Sequence, residues 1–422
     1  MRLLCASNGH GEDAIAVRIL EELQRQSPLL KIAALPLVGE GDAYLHSKIS
    51  IVGAVKQMPS GGFVYMEGKQ LWRDVKGGLL QLVWTQYKAM RQWVRASTEP
   101  AAILAVGDVV PLLFVGLSGV PYGFVGTAKS EYYLRDSPEG WLSPKTRREG
   151  WAGSVYYPWE RWLMSRRRCK AVFPRDSLTS KILQQKGEIP VFDLGNPMMD
   201  KLEPEEPTPT FCEANIEAHS TARSLRIILL PGSRPPEAYG NWERILEAVE
   251  EVSRKMRGFE VVFLAAISPT LDLNAFTLPL TERGFRLQRE GQREGSCDVL
   301  FFKGDRARVV LAQNAYRDFL RQADLAIAMA GTATEQFVGL GKPAIAIPGS
   351  GPQYTYAFAE AQSRHLGASL ILVRQPQEVP AVIQSLLNDP DRLQLIAENG
   401  RLRMGSPGAA RRIAECLIAK LL

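Results

Sequence analysis

The sequence predicts an α/β protein of two domains, each built on a mainly parallel sheet, and three observations lead there. At about 150 residues per domain, a chain of 422 residues holds two or three. Short β-rich apolar runs alternate with longer amphipathic ones, the pattern of βαβ units. A stretch rich in Pro and acids, with Pro204, Pro207 and Pro209, divides the chain near its middle.

The elements follow in order. In the first half, strands are expected at Leu3–Ala6, Lys31–Leu35, Ala101–Val106, Tyr122–Val125, Ala171–Phe173 and Val191–Leu194, with helices between them. In the second half they are expected at Leu225–Leu230, Glu260–Ala265, Val299–Phe302, Leu325–Ala328, Ala344–Ile347 and Leu370–Val373, again separated by helices. The expected boundaries are a domain over 1–200, a linker over 201–223 and a domain over 224–405. After the turn signals Gly405, Pro407 and Gly408, residues 406–422 read as a short amphipathic helix that packs back on the first domain.

Composition excludes several classes. Apolar residues make up 45% and charged residues 23%, which is ordinary for a globular chain and unlike disordered or coiled-coil sequences. The five cysteines (Cys5, Cys169, Cys212, Cys297, Cys416) form no CxxC pair and only four histidines occur, which argues for a reducing cytosol and against a structural zinc site. The apolar run at Leu3–Ala6 is too short for a signal-peptide core, so no export is expected. Gly107, Asp108, Pro111 and Gly116 break the one long apolar stretch, Ala101–Val120, into strand, turn and helix.

Aromatic and basic residues cluster. Seven of the eight tryptophans (Trp72, Trp84, Trp93, Trp141, Trp151, Trp159, Trp162) share one window, and between Tyr65 and Lys170 sixteen Lys and Arg face nine Asp and Glu. The basic excess is therefore local. Such a window suits contact with lipid headgroups, because indole rings prefer the interface and cations attract anionic lipids; a well-packed core with surface charges is the alternative.

Four segments carry candidate chemistry. The first strand runs into SNGHGED, where Asn8, Gly9 and Gly11 form a turn that lets backbone approach a ligand. His10 lies in that turn as a proton acceptor or a plain helix-start residue, and Glu12 and Asp13 complement the helix dipole. Asp108 follows the strand AILAVG at the same sheet edge, placed for general-base work or for capping the next helix. In LLPGSRPPE, Gly232 and Ser233 turn the chain and Arg234 stands where a guanidinium would neutralise a diphosphate, unless it pairs with Glu237. Finally Gly331, Thr332, Ala333 and Thr334 open a helix, leaving room for a nucleotide diphosphate over its N-terminus. Glu335 or Gln336, one turn on, is placed to reach ribose hydroxyls, and Gln353, beyond Gly349 and Gly351, to reach a sugar.

In this order the segments resemble lipid-A-disaccharide synthase, a glycosyltransferase of the GT-B architecture in which two Rossmann-like domains face a cleft. More distantly they resemble the transferase that adds N-acetylglucosamine to the peptidoglycan lipid precursor. SNGHGED lies at the synthase's glycine-containing acidic turn, with Asp13 at its final Asp, although Gly9 replaces a glutamate and His10 looks more like the histidine of the peptidoglycan-type enzymes. VGDVVP matches the segment of the proposed catalytic aspartate, which puts that role on Asp108. GNPMMD (Gly195–Asp200) is similar to a Gly-His-Pro segment with Asn196 for His, and LLPGSRPPE matches nearly letter for letter. Counting from Gly331 to Pro343 puts Gln336, not Glu335, at the family's glutamate.

The resemblance implies an inverting, metal-independent enzyme without cofactor, which moves a sugar from a UDP-sugar to a lipid-type acceptor in the cytoplasm at a membrane surface. A homodimer is compatible with these readings. Two other readings stay open: a UDP-sugar epimerase or hydrolase of the same fold, and a non-catalytic membrane or nucleic-acid binder, which leaves both phosphate-type loops unexplained.

Overall fold

The computed structural model describes residues 1–53, 79–202, 224–288, 299–304 and 307–422. The Pro-rich linker and Trp72 lie outside the described residues. The chain divides into two units: Met1–Asp200 with Gly405–Leu422, and Lys201–Met404.

The first unit holds a six-stranded sheet of β1 (Arg2–Ser7), β2 (Lys31–Pro36), β3 (Ser50–Ile51), β4 (Ala101–Gly107), β5 (Tyr122–Gly126) and β6 (Cys169–Phe173) in the order β3-β2-β1-β4-β5-β6. Every pairing is parallel. Helices on both faces explain why β1, β4 and β5 are buried along nearly their whole length and read as continuous apolar runs. The strand order reverses between β1 and β4, the place where open α/β sheets put ligands at the carboxyl ends.

The helix Ala409–Lys420 belongs to this unit and packs on the helix His10–Gln26. Its N-terminus is held by Asp200, whose carboxylate accepts hydrogen bonds from the amides of Gly408 (2.5 Å), Ala409 (3.1 Å) and Ala410 (2.6 Å). Arg18 of the first helix donates to the carbonyls of Pro197 and Met198, and Asn196 Oδ1 caps the turn Pro197–Met199. GNPMMD is thus a clamp joining the first and last helices of the unit. Val191–Leu194 forms no strand, only a single bridge from Val191 to Val172.

The second unit holds β7 (Ser224–Leu230), β8 (Glu260–Ile267), β9 (Arg286–Gln288), β10 (Val299–Lys303), β11 (Ala307–Gln313), β12 (Leu325–Ala328), β13 (Ala344–Ala346) and β14 (Leu370–Leu372). Their order is β14-β13-β12-β7-β8-β11-β10-β9. All pairings are parallel except those of β10, which runs antiparallel to β11 and β9. The expected helix between the strands near 300 and 325 is preceded by β11, which takes the central parallel place beside β8. A second reversal of strand order lies between β7 and β12.

Candidate functional site

At the first reversal the chain leaves β1 at Ser7 and turns through Gly9, whose φ of 131° suits only glycine, into the helix that starts at His10. The His10 side chain lies outside the described residues. Asp13 points inward: Ser7 Oγ donates to Asp13 Oδ1 (2.5 Å) and shares a hydrogen bond with the Tyr44 hydroxyl (2.5 Å). Burial, opposed by the Ser7 hydrogen bond and helped by Asp42, pushes the Asp13 carboxyl up to about 7.

Gly107 ends β4 at a φ of +137°, and a Cβ there would press on Asn8, Pro111 and Glu12. This close approach sets Asp108 beside the glycine turn. Asp108 Oδ1 accepts from the Val110 amide (2.7 Å), capping the helix Val109–Gly116, while Oδ2 accepts from Asn8 Nδ2 (2.7 Å). Burial raises the Asp108 carboxyl to about 6; the Val110 and Asn8 hydrogen bonds and Lys129 act the other way. A carboxylate titrating there can take up a proton near neutral pH. Lys129 and Glu160, which sequence reading does not single out, form a buried pair at 2.6 Å near it, with the Lys129 ammonium 4.6 Å from the Tyr157 ring.

At the second reversal the loops after β7 and β12 lie side by side. Asn241 Nδ2 donates to the carbonyls of Pro231 (3.0 Å) and Met329 (3.4 Å), and a Cβ on Gly232 would come 3.5 Å from the Met329 carbonyl. Ser233 is exposed and Arg234 half-buried in the first loop. Gly331 caps the helix Thr332–Gly339 without a side chain, so the amides of Thr332, Ala333 and Thr334 lie at an N-terminus whose dipole favours an anion. The Thr334 hydroxyl donates to the Ala330 carbonyl (2.5 Å), and Gln362 Nε2 to the Gly331 carbonyl (3.0 Å), which fixes that turn.

The remaining predicted residues separate. Glu335 is buried 3.7 Å from His365 Nε2, whereas Gln336 accepts from the Tyr316 hydroxyl (2.7 Å). The Glu237 carboxylate accepts from the amides of Gln353 (3.1 Å) and Tyr354 (2.6 Å), so it fastens the loop after β13. Gly351 is required there, since a Cβ would lie 2.6 Å from the Glu237 carboxylate. Gln353 itself is exposed. Two adjoining loops carrying a hydroxyl, a guanidinium and a helix N-terminus can hold a diphosphate.

Solved structures share this fold. UDP-GlcNAc 2-epimerase from Neisseria meningitidis, bound to UDP-GlcNAc, aligns over all of both chains with a TM-score of 0.55 and 14% identity. MurG from Acinetobacter baumannii aligns over 99% of both chains with a TM-score of 0.55 and 14% identity. The calicheamicin glycosyltransferase CalG4 covers 100% of this chain, with 98% of its own, at a TM-score of 0.59 and 12% identity. The fold is the GT-B fold. No family model and no curated protein sequence matches the chain.

Within the GT-B fold, the six clustered tryptophans among the described residues divide. Trp93 packs half-buried with Arg2 over its ring (4.5 Å), and Trp141 lies under Arg135 (3.8 Å). Trp84, Trp151, Trp159 and Trp162 are exposed. Among the described residues no helix is long and apolar enough to cross a membrane, and no group of three or more His, Cys, Asp or Glu could hold a metal ion.

Proposed function

We propose that the protein is an inverting, metal-independent glycosyltransferase that moves a sugar from a UDP-sugar to a lipid-type acceptor, acting in the cytoplasm at a membrane surface. The observation that carries the donor half is the pairing of the β7 and β12 loops by Asn241, which puts Ser233, Arg234 and the N-terminus at Thr332–Thr334 on one edge. Arg234, Ser233 and those amides take the charge that grows on the diphosphate as the anomeric bond breaks, an electrostatic role worth about 3 kcal/mol per well-placed donor. Asp108 or His10 accepts the proton of the acceptor hydroxyl as its oxygen bonds to the anomeric carbon on the face opposite UDP. The resemblance of VGDVVP and LLPGSRPPE to segments of lipid-A-disaccharide synthase supports the transfer reading over the others.

A second reading, a UDP-sugar epimerase or hydrolase, is favoured by the epimerases among the structural neighbours. Calorimetry with UDP tests the donor site first. Saturable binding is expected, weakened about tenfold to a hundredfold in Arg234→Ala, as for a lost charge-assisted hydrogen bond; equal affinity would remove Arg234 from the site. Incubating a UDP-sugar without acceptor then separates the readings, because a transferase leaves the donor intact whereas an epimerase or hydrolase consumes it.

A further inference from the structure

The first unit carries an aromatic surface that packing does not account for. Trp151 is 70% exposed, Trp162 58%, Trp159 45% and Tyr157 39%, all within twelve residues, although large aromatic side chains are normally mostly buried. Their rings form a row rather than scattered points. Trp151 and Tyr157 lie 6.2 Å apart, and Tyr157 and Trp159 stack at 6.5 Å with planes 16° apart. Trp159 and Trp162 share one face of the helix Pro158–Met164 by their spacing.

Basic groups border this row. A shallow groove along the helix is lined by Arg161, Trp162, Ser165 and Lys186 together with Pro158, Gly187 and one acid, Glu188. The Arg166 guanidinium lies over the Trp162 ring at 4.8 Å. The Lys186 ammonium, part of the groove lining, sits near Gly153, two positions after Trp151 in the sequence. The helix Pro144–Glu149, with Arg147 and Arg148 in its last turn, runs directly into Trp151. Exposed indoles bordered by cations match the chemistry of an anionic bilayer surface, where rings settle at the headgroup level and cations meet phosphates.

We propose that Trp151, Tyr157, Trp159 and Trp162 form a membrane-docking face, with Lys186 at the groove seating the phosphate of an anionic phospholipid headgroup. The proposal builds on the lipid-acceptor reading above and gives it a place on the molecule. Charge complementarity selects the occupant, because the flanking helices carry Arg147, Arg148 and Arg161, with Arg166 just beyond, while their acids are paired, Glu149 with Lys145 and Glu160 with Lys129.

Sedimentation of the full chain with phosphatidylcholine vesicles, with and without phosphatidylglycerol, tests it. Binding is expected only with phosphatidylglycerol, falling as salt rises. The double variant Trp159→Ser, Trp162→Ser and the single variant Lys186→Glu should each lower the partition coefficient about tenfold. Retained UDP binding and circular dichroism establish that each variant is folded; if the tryptophan variant does not fold, Lys186→Glu decides. Unaltered partitioning of a folded variant overturns the face, as does failure of the unmodified chain to bind anionic vesicles. Self-association without vesicles, abolished by Lys186→Glu, would assign the surface to a second copy and also overturn it. Vesicle binding without any UDP binding would sink the donor reading and leave the docking face standing.

Discussion

Asp108 Oδ1 holds the Val110 amide and Oδ2 holds Asn8 Nδ2, so the carboxylate is fixed in place by its own surroundings. Burial brings it to about 6, and a base with that value works only once it has lost its proton. As an expected outcome, kcat/KM rises with pH up to about 6 and is flat above it. Asp108→Asn, which keeps the helix cap, should lower kcat by about 10²–10⁴-fold with UDP affinity unchanged. Steady-state kinetics and calorimetry check both, and unchanged turnover would take Asp108 out of the reaction.

Asp13 behaves differently, because its buried carboxyl serves the interior. Its folded value of about 7 lies above the ordinary 3.8, so the native state holds this proton more tightly than the unfolded chain does. That stabilisation is complete below the unfolded value and is lost as pH rises through the folded one. Asp13→Asn should therefore gain on the unmodified protein between pH 5 and 7, by at most about 1.4 kcal/mol per pH unit, in urea unfolding. At this scale Asp108, Asn8 and Arg234 were legible because each stands at a strand-to-helix junction. Lys129 and Glu160 were not: they lie 31 positions apart, and nothing in either local sequence announces the other. Nor could counting residues separate Glu335 from Gln336, which successive positions on one helix send to His365 and Tyr316.

At the level of elements, glycines set how closely loops and helices approach. The helix Pro390–Met404 packs on Thr332–Gly339 through Gly400, where a Cβ would collide with the Val338 carbonyl. Gly400→Ala should cost roughly 1–3 kcal/mol, the usual penalty of overpacking, and should weaken UDP as well by shifting the helix that begins at Thr332. Thermal unfolding and calorimetry measure the two effects; no change in either would show that the contact relaxes freely. The buried parallel strands were legible as short apolar runs, since both faces of the sheet are covered. The short strand Ser50–Ile51 and the exposed edge strand Arg286–Gln288 give little hydrophobic signal. Ala307–Gln313 was hidden for another reason: it follows Val299–Lys303 as an antiparallel neighbour, where the βαβ rhythm calls for a helix. Val191–Leu194 has the composition of a strand but pairs at only one residue.

For the molecule as a whole, the first unit is assembled from both ends of the sequence, residues 1–200 and 405–422. Ile413, Ala414 and Leu417 of the last helix are buried, with Leu417 against the β5 position Gly123. Removing residues 405–422 uncovers these contacts and leaves Asp200 without the three amides it caps. Calorimetry of the shortened chain should show the first unit melting at a lower temperature while UDP binding, which we propose rests on the loops after β7 and β12 of the second unit, persists. An unchanged melting profile would contradict a structural role for the last helix.

This arrangement also constrains how the polypeptide matures on the ribosome. Residues 201–404 form, in effect, an insertion within the first unit, so they emerge from the exit tunnel and can fold before the piece that seals their predecessor has been made. Until then the groove meant for Leu417 stays open to solvent, and a nascent chain stalled before residue 405 presents a sticky surface that a chaperone would have to shield.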